Sequence, residues 1–272
     1  MGDMSVFSSL FSHERLNDVT DVTIALRDAA YQYPDGSSGL TATTVTFEPT
    51  HTHTALIGLN GAGKSTLLDL ITGTVVPTQG EVQVEAGQQS WNTNTAKDRR
   101  DVKRMLPLVR AEHIPPAIEQ AQSIETALAH ELKRLHVDDT AARAIIERVF
   151  SRFDLTQLSR MPVTTLDAEQ IHMLTLAVAC ARNPAVLVAD EPTKGLDEIS
   201  TAHVAQALFH CGKPVIFATH DIDLVRNADN LIDRVLVLDD QRIVFDGPAN
   251  DACEHYSEVI RAKYASVMRR HQ

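Results

Sequence analysis

The chain has 272 residues, of which 43% are hydrophobic, and its formal net charge is −11 at pH 7. This composition can bury a full hydrophobic core and excludes an intrinsically disordered chain. The negative charge argues against nonspecific binding to nucleic acid, which depends on clustered Lys and Arg, so no nucleic-acid partner is expected.

The chain shows no pattern of a membrane span or a secretory leader. Its longest apolar run, residues 173–181, is far shorter than the roughly 20 residues that cross a bilayer. Residues 1–21 lack a basic leader, a sustained apolar core and a small-residue cleavage site, which predicts a cytoplasmic location. Cys180, Cys211 and Cys253 have no Cys-x-x-Cys spacing and are interpreted as buried or inert thiols.

The first part of the chain has strand patterns. Val22–Tyr33 and Ala42–Phe47 are rich in β-formers, and the turn-forming residues 34–39 separate them, which predicts an antiparallel pair. Glu81–Glu85 alternates as a further strand. Residues 97–104 mix both charge signs, and we expect a solvated loop there.

A glycine-rich segment, Gly58–Thr66, lies between the apolar run 55–57 and a predicted helix. It reads Gly-Leu-Asn-Gly-Ala-Gly-Lys-Ser-Thr and fits the pattern of a phosphate-binding loop. The glycines expose backbone N–H groups to a phosphate, Lys64 neutralises charge, and the Ser65 hydroxyl can ligate Mg²⁺. The segment therefore predicts binding of a nucleoside triphosphate. The residues expected to bind it here are Asn60, Gly61, Ala62, Gly63, Lys64, Ser65 and Thr66.

Helical and strand patterns alternate in the rest of the chain. Apolar residues recur at helical spacing over residues 118–136, and a second helix is expected after Asp138–Asp139. Short apolar runs at 186–190 and 215–219 are typical of parallel strands covered on both faces, with a helix between them. Residues 235–238 and 242–245 predict a hairpin, and residues 256–270 a charged, exposed helix.

Three polar residues follow the two apolar runs directly. Asp190 and Glu191 end the first run, and His220 ends the second. Open α/β sheets bind ligands at the carboxyl ends of their parallel strands. We therefore expect Asp190 to hold Mg²⁺, Glu191 to polarise the water that attacks the γ-phosphate, and His220 to contact that phosphate.

These features occur along residues 22–250 in the order in which the ATP-binding cassette (ABC) family has them, and the chain resembles that family. Tyr33 matches its adenine-stacking aromatic residue, 58–66 its Walker A loop, 186–191 its Walker B strand, Asp197 its D-loop and His220 its switch histidine. Tyr-Pro-Asp-Gly, Pro-Thr-x-Gly and Phe-Asp-Gly-Pro are similar to the ATPases of energy-coupling-factor importers for vitamins and cobalt or nickel.

The resemblance implies an α/β fold with a P-loop NTPase core, a mixed or parallel sheet, an N-terminal antiparallel β subdomain and an inserted helical subdomain. It places the ATPase domain at residues 21–250, the helical insert at about 100–182, an N-terminal extension at 1–20 and a C-terminal helical tail at 251–272. It also implies ATP and Mg²⁺ as cofactors, a second ABC ATPase subunit and integral membrane transport subunits as partners, and a position on the inner face of the cell membrane.

Two segments depart from the family pattern. The signature Leu-Ser-Gly-Gly-Gln falls on Leu166–Gln170, which reads Leu-Asp-Ala-Glu-Gln. Asp167 can cap its own helix, with Gln170 completing a capping box, and the added acids oppose closure on an incoming anion. An alternative is a divergent helix start that bends away. The family's Q-loop glutamine is also missing: Leu108 is nearest by alignment, and Gln120 and Gln122 lie inside a predicted helix.

The leading interpretation is an ATPase subunit that energises uptake of a small solute through separate membrane proteins. Because two such cassettes work together, the altered signature predicts an asymmetric dimer or a homodimer with weak activity. A regulatory or structural cassette with little hydrolysis is the alternative, although Glu191 argues against it. Soluble cassette proteins of translation or DNA repair usually carry two cassettes or long coiled-coil inserts, and this chain has neither pattern.

Overall fold

The structure is a computed structural model, and it describes residues 19, 21–48, 53–110, 114 and 116–270. The predicted N-terminal extension thus lies almost entirely outside the described residues. The strands within the described ranges are β1 (Thr23–Gln32), β2 (Ser38–Phe47), β3 (His53–Ile57), β4 (Gln79–Ala86), β5 (Gln89–Asn92), β6 (Leu108–Arg110), β7 (Leu187–Asp190), β8 (Val215–Thr219), β9 (Ile232–Asp239) and β10 (Arg242–Gly247).

Helices connect and cover these strands. In the part of the chain that the structure describes, the α-helices are α1 (Lys64–Ile71), α2 (Ala96–Met105), α3 (Pro116–Glu119), α4 (Ile124–Arg134), α5 (Asp139–Arg152), α6 (Ala168–Ala181), α7 (Glu198–Phe209), α8 (Ile222–Arg226) and α9 (Ala249–Arg270). Helices α3 to α6 all lie in sequence between β6 and β7 and pack on one another.

A four-stranded antiparallel sheet in the order β2-β1-β4-β5 forms the N-terminal subdomain. The predicted β1–β2 pair is confirmed, with Ile24 opposite Phe47. Alternate residues of β1 and β4 are fully buried, because one face of this sheet covers a core that it shares with α1.

A second sheet carries the order β10-β9-β3-β8-β7-β6. Strands β9, β3, β8, β7 and β6 run parallel, and β10 returns antiparallel along β9. Every residue of β3 and β8 is buried, as expected for parallel strands covered on both faces. The carboxyl ends of β3, β8, β7 and β6 meet at one edge. The predicted fold class is confirmed.

Two predictions of secondary structure were wrong in detail. Residues 97–104 belong to helix α2 and are not a loop, because Val102 and Met105 bury one face of an otherwise charged helix. The single helix expected over 118–136 is divided into α3 and α4. Gln120 and Gln122 lie in the break, which ends where the Ser123 hydroxyl accepts the N–H of Thr126 and starts α4.

The C-terminal helix α9 is longer and less exposed than the sequence indicated. It begins at Ala249, and its first turns bury Ala252, Cys253 and Tyr256 against α8, β9 and β10. All three cysteines are free and buried, which confirms the interpretation of them as buried thiols.

Candidate nucleotide-binding site

The glycine loop lies between β3 and α1, packed too closely for side chains at two of its positions. A Cβ atom on Gly58 would stand 2.4 Å from the backbone oxygen of Leu238, the neighbouring strand β9. Gly63 has φ +101°, and a Cβ there would approach the Gly39 oxygen to 3.0 Å. Glycine is therefore required at both positions for the backbone to form this loop.

The start of α1 is open to an anion. Gly63 is the N-cap residue, no side chain in the described part of the chain caps it, and the first turn holds no acid. The N–H groups and the positive end of the helix dipole are thus available to a phosphate. Lys64 is 6% exposed, and its Nζ donates to the oxygens of Gly58 at 2.7 Å and Leu59 at 3.3 Å. Burial lowers the pKa of Lys64, while Glu191 and Asp190 oppose that shift.

A cleft of about 1430 Å³ opens in front of this loop, and it contains every predicted site residue. These residues are Tyr33, Asn60, Gly61, Ala62, Gly63, Lys64, Ser65, Thr66, Asp190, Glu191 and His220. Tyr33 directly follows β1 and is 40% exposed, and its hydroxyl lies 2.9 Å from the Thr66 hydroxyl. A cleft of this size has room for a nucleoside triphosphate.

A hydroxyl and a carboxylate stand together beside the loop. The Ser65 hydroxyl donates to Asp190 Oδ1 at 3.2 Å, which joins the start of α1 to the end of β7. Oxygen ligands of these two kinds suit a hard cation such as Mg²⁺. The chemistry of this pair therefore fits the predicted metal position.

Glu191 and His220 form the second polar pair of the cleft. His220 Nδ1 lies 2.8 Å from Glu191 Oε2, and Glu191 Oε1 lies 4.0 Å from Lys64 Nζ. The backbone of Glu191 has φ +50°, an unfavourable value for a residue other than glycine, and its N–H donates to the Ala218 oxygen at 2.9 Å. This backbone hydrogen bond to β8 places Glu191 at the sheet edge.

Arg110 is a cleft residue that the sequence interpretation missed. It ends β6, so the residue at the strand end is Arg110 and not Leu108, which begins the strand. Its Nε donates to Asp190 Oδ2 at 3.2 Å and its Nη2 to Asp69 Oδ1 at 2.8 Å. Burial alone would lower the pKa of Arg110, but the two carboxylates outweigh burial and raise it. Burial raises the pKa of Asp69, against the pull of Arg110.

Two further residues beyond the predicted set come from the C-terminal part of the chain. Gln241, in the turn between β9 and β10, donates from Nε2 to the Gly61 oxygen at 3.0 Å. Tyr256 of α9 lines the cleft, and burial, with a smaller effect of nearby Glu191, raises its pKa. No motif in the sequence points to either residue.

The Leu166–Gln170 segment lies apart from the cleft and starts α6. Asp167 accepts the N–H of Gln170 at 2.9 Å, and the Gln170 side chain accepts the N–H of Asp167 at 3.1 Å, so the predicted capping box is confirmed. Glu169 reaches to α7, where it accepts from Ser200 at 2.6 Å and lies 2.5 Å from His203 Nδ1. The hydrogen bond to Glu169 raises the pKa of His203.

The family profile described as ABC transporter matches residues 40–194, the stretch that holds the loop, Asp190 and Glu191. The chain belongs to the ABC transporter family. This ABC cassette is 30% identical over 231 residues to the cobalt import ATP-binding protein CbiO of Rhodobacter capsulatus, covering 83% of this chain and 79% of the relative. Because it belongs to this family, the chain is an ATPase that binds ATP.

Solved structures share the fold of this ABC cassette. The cbiO1 protein of Clostridium perfringens, part of the ABC transporter complex cbiONQ, superimposes with a TM-score of 0.73 at 24% identity, covering 92% of this chain and 97% of that one. An ATP-binding cassette solved as a dimer with ADP and Pi gives a TM-score of 0.67 at 23% identity, covering 83% and 98%. Within the described residues, no helix of the cassette is long and apolar enough to span a membrane.

Proposed function

We propose that this ABC cassette binds and hydrolyses ATP to energise uptake of a small solute, a vitamin or a metal ion, through separate integral membrane subunits. It works with a second ABC ATPase subunit, peripherally on the inner face of the cell membrane. The similarity to a cobalt import cassette supports the direction of transport and the class of solute.

The observation that carries the hydrolytic part is the Glu191–His220 pair beside Lys64. The hydrogen bond at 2.8 Å holds one carboxylate oxygen of Glu191, while the other oxygen lies 4.0 Å from Lys64 Nζ. A carboxylate fixed in this way accepts a proton from the water that attacks the γ-phosphate. His220, 61% exposed in its side chain, orients Glu191 and contacts the phosphate from the open side of the cleft.

The remaining cleft residues bind the nucleotide. Lys64 and the uncapped start of α1 bind the phosphates, and the Tyr33 ring packs against the base. Ser65 and Asp190 would hold Mg²⁺, which when bound neutralises charge on the phosphates. Asn60, Gly61, Ala62, Gly63 and Thr66 complete the phosphate loop.

Substitution of Glu191 tests the hydrolytic assignment. Glu191→Gln keeps the shape of the side chain but removes the proton acceptor, so ATP should still bind while turnover falls by at least about 100-fold. Glu85→Gln, at an exposed position of β4 in the N-terminal sheet, is the matched control. ATP binding without turnover in the native chain, even with membrane partners added, would instead favour the regulatory cassette.

The two halves of a paired site are unequal in this cassette. The cleft supplies the phosphate loop and catalytic residues, whereas at the start of α6 the N–H groups of Asp167 and Gln170 are bonded to each other's side chains. We infer that the partner is a different cassette, whose intact signature closes over this chain's Lys64 and Glu191. Ile199, 83% exposed just after the D-loop residue Asp197, supports a partner surface on this side.

The transport part has its own test. Cells that lack this chain should take up less of one solute among labelled cobalt, nickel and the vitamins, and the native gene should restore that uptake where the Glu191→Gln variant does not. Unchanged uptake of all of them would contradict this assignment while leaving the ATPase assignment intact.

A further inference from the structure

Arg110 places a permanent positive charge inside the cleft. Its guanidinium spans two carboxylates, Asp190 on β7 at 3.2 Å and Asp69 on α1 at 2.8 Å. The arginine side chain is 30% exposed, and the side chains of Asp69 and Asp190 are 17% and 10% exposed. Solvent therefore screens these ion pairs less than pairs on the surface, and the guanidinium is held in a fixed position.

The same guanidinium engages the carboxylate that the cleft offers to Mg²⁺. Asp190 Oδ1 accepts from Ser65, and Asp190 Oδ2 accepts from Arg110, so both oxygens already have a donor. A divalent cation on Asp190 would stand close to the guanidinium and be repelled by it. A guanidinium is also a strong ligand for phosphate oxygens, because its N–H groups match their geometry.

We propose that Arg110 is a resident cation of the nucleotide site, which competes with Mg²⁺ for Asp190 and lets ATP bind with little dependence on the metal. Asp69 acts as its second anchor and keeps the guanidinium in the cleft when Asp190 turns to a metal ion. The inference rests on the proposed function, because it concerns binding of ATP by the same cleft.

The test compares ATP affinity with and without the metal. ATP is titrated by calorimetry in EDTA and in MgCl₂, with all proteins as full chains in the Glu191→Gln background so that hydrolysis does not disturb the heats. The measured quantity is the Kd in EDTA divided by the Kd in Mg²⁺. Arg110→Gln should raise this ratio at least tenfold. Arg104→Gln, an exposed arginine of α2 near Asp101, should leave it unchanged.

Asp69 supplies a variant with an effect of opposite sign. Asp69→Asn leaves Arg110 with Asp190 as its carboxylate partner. In a calorimetric titration of the ATP-bound protein with MgCl₂, the half-saturating Mg²⁺ concentration should therefore rise several-fold. In the double variant with Arg110→Gln, the Asp69→Asn substitution should change that concentration by less than twofold. The Kd ratio of Arg110→Lys should fall between those of the native chain and Arg110→Gln, because an ammonium cannot bond both carboxylates in the way that a guanidinium does.

Several outcomes would overturn the inference. An Arg110→Gln ratio within twofold of the native one, or an equal loss of affinity in EDTA and in Mg²⁺, would leave Arg110 with a structural role only. A full effect of Asp69→Asn in the absence of Arg110 would assign that effect to Asp69 itself. If Arg110→Gln fails to fold, judged by circular dichroism, the lysine and asparagine variants decide. Failure of the native chain to bind ATP at all would contradict the proposed function instead.

Discussion

The start of α1 and the start of α6 are both amino ends of helices, yet their N–H groups have different partners. At α1 the N-cap residue is Gly63, without a capping side chain in the described residues and without an acid in the first turn. At α6 the N-cap residue is Asp167 in a complete capping box, followed by Glu169 in the first turn. The start of α1 is open to an external anion, whereas the start of α6 carries its own acidic side chains, Asp167 and Glu169.

The largest expected effect tests the open helix start. Lys64→Met removes the buried ammonium that lies among the loop carbonyls, and we expect ATP affinity to fall roughly 30- to 100-fold, about 2–3 kcal/mol. Lys97→Met, on the exposed face of α2, is the matched control. Calorimetric titration with ATP measures both. Equal affinities of the two variants would remove the basis for assigning phosphate binding to α1.

A second prediction concerns a variant that restores the family signature at the start of α6. Replacing Asp167, Ala168 and Glu169 with Ser, Gly and Gly removes two negative charges and leaves a serine as the N-cap residue. In the Glu191→Gln background, ATP-dependent self-association should strengthen about tenfold, or 1.4 kcal/mol. Sedimentation with and without ATP measures this. Asp138→Ser, the N-cap of α5, is a control away from the cleft. No gain in association would show that the acids at the start of α6 do not limit pairing.

A third prediction concerns the cap itself. Asp167→Ala removes the side-chain oxygen that accepts from Gln170, and the free energy of unfolding should fall by about 1 kcal/mol. Asp167→Ser retains an acceptor and should cost only a few tenths of a kcal/mol. Urea unfolding measures both. If serine costs as much as alanine, the stabilisation comes from the charge of Asp167 on the helix dipole and not from the hydrogen bond.

The smallest effect comes from the Glu169–His203 pair. His203 has a raised pKa in the folded state, so its contribution is present below 6.5 and is lost as pH rises through the raised value. Glu169 has a lowered pKa, so its contribution is present above 4.5 and is lost as pH falls through the lowered value. The pair is strongest between these limits. Because both side chains are partly exposed, it is worth less than about 1 kcal/mol.

The measurement is the melting temperature at pH 6 and at pH 9. The native chain should lose stability on going to pH 9, and His203→Gln should remove most of that loss. His210→Gln, at the exposed end of α7, is the control. A loss of the same size in His203→Gln would assign the pH dependence to other groups.

The loop, Asp190, Glu191 and His220 could be placed from the sequence because each belongs to a contiguous pattern of an apolar strand followed by its polar end. Arg110 could not be placed in this way. Strand β6 is too short for a periodic pattern, and the two partners of Arg110 lie 41 and 80 residues away in the chain. Most positions of residues 97–104 are charged, so the sequence likewise did not indicate that Val102 and Met105 of α2 are buried. Local patterning does not reveal such tertiary contacts.

Because Tyr256 is buried, a chain truncated before this residue is not expected to fold as the native chain does. The family resemblance ends near residue 250, a natural place to cut a cassette for expression. A cut there would remove Ala252, Cys253 and Tyr256, which are 0%, 0% and 3% exposed, and would uncover apolar surface of β9. It would also remove the tyrosine that lies near Glu191. A truncated chain of that length would therefore misreport both the stability and the ATPase rate of the native protein.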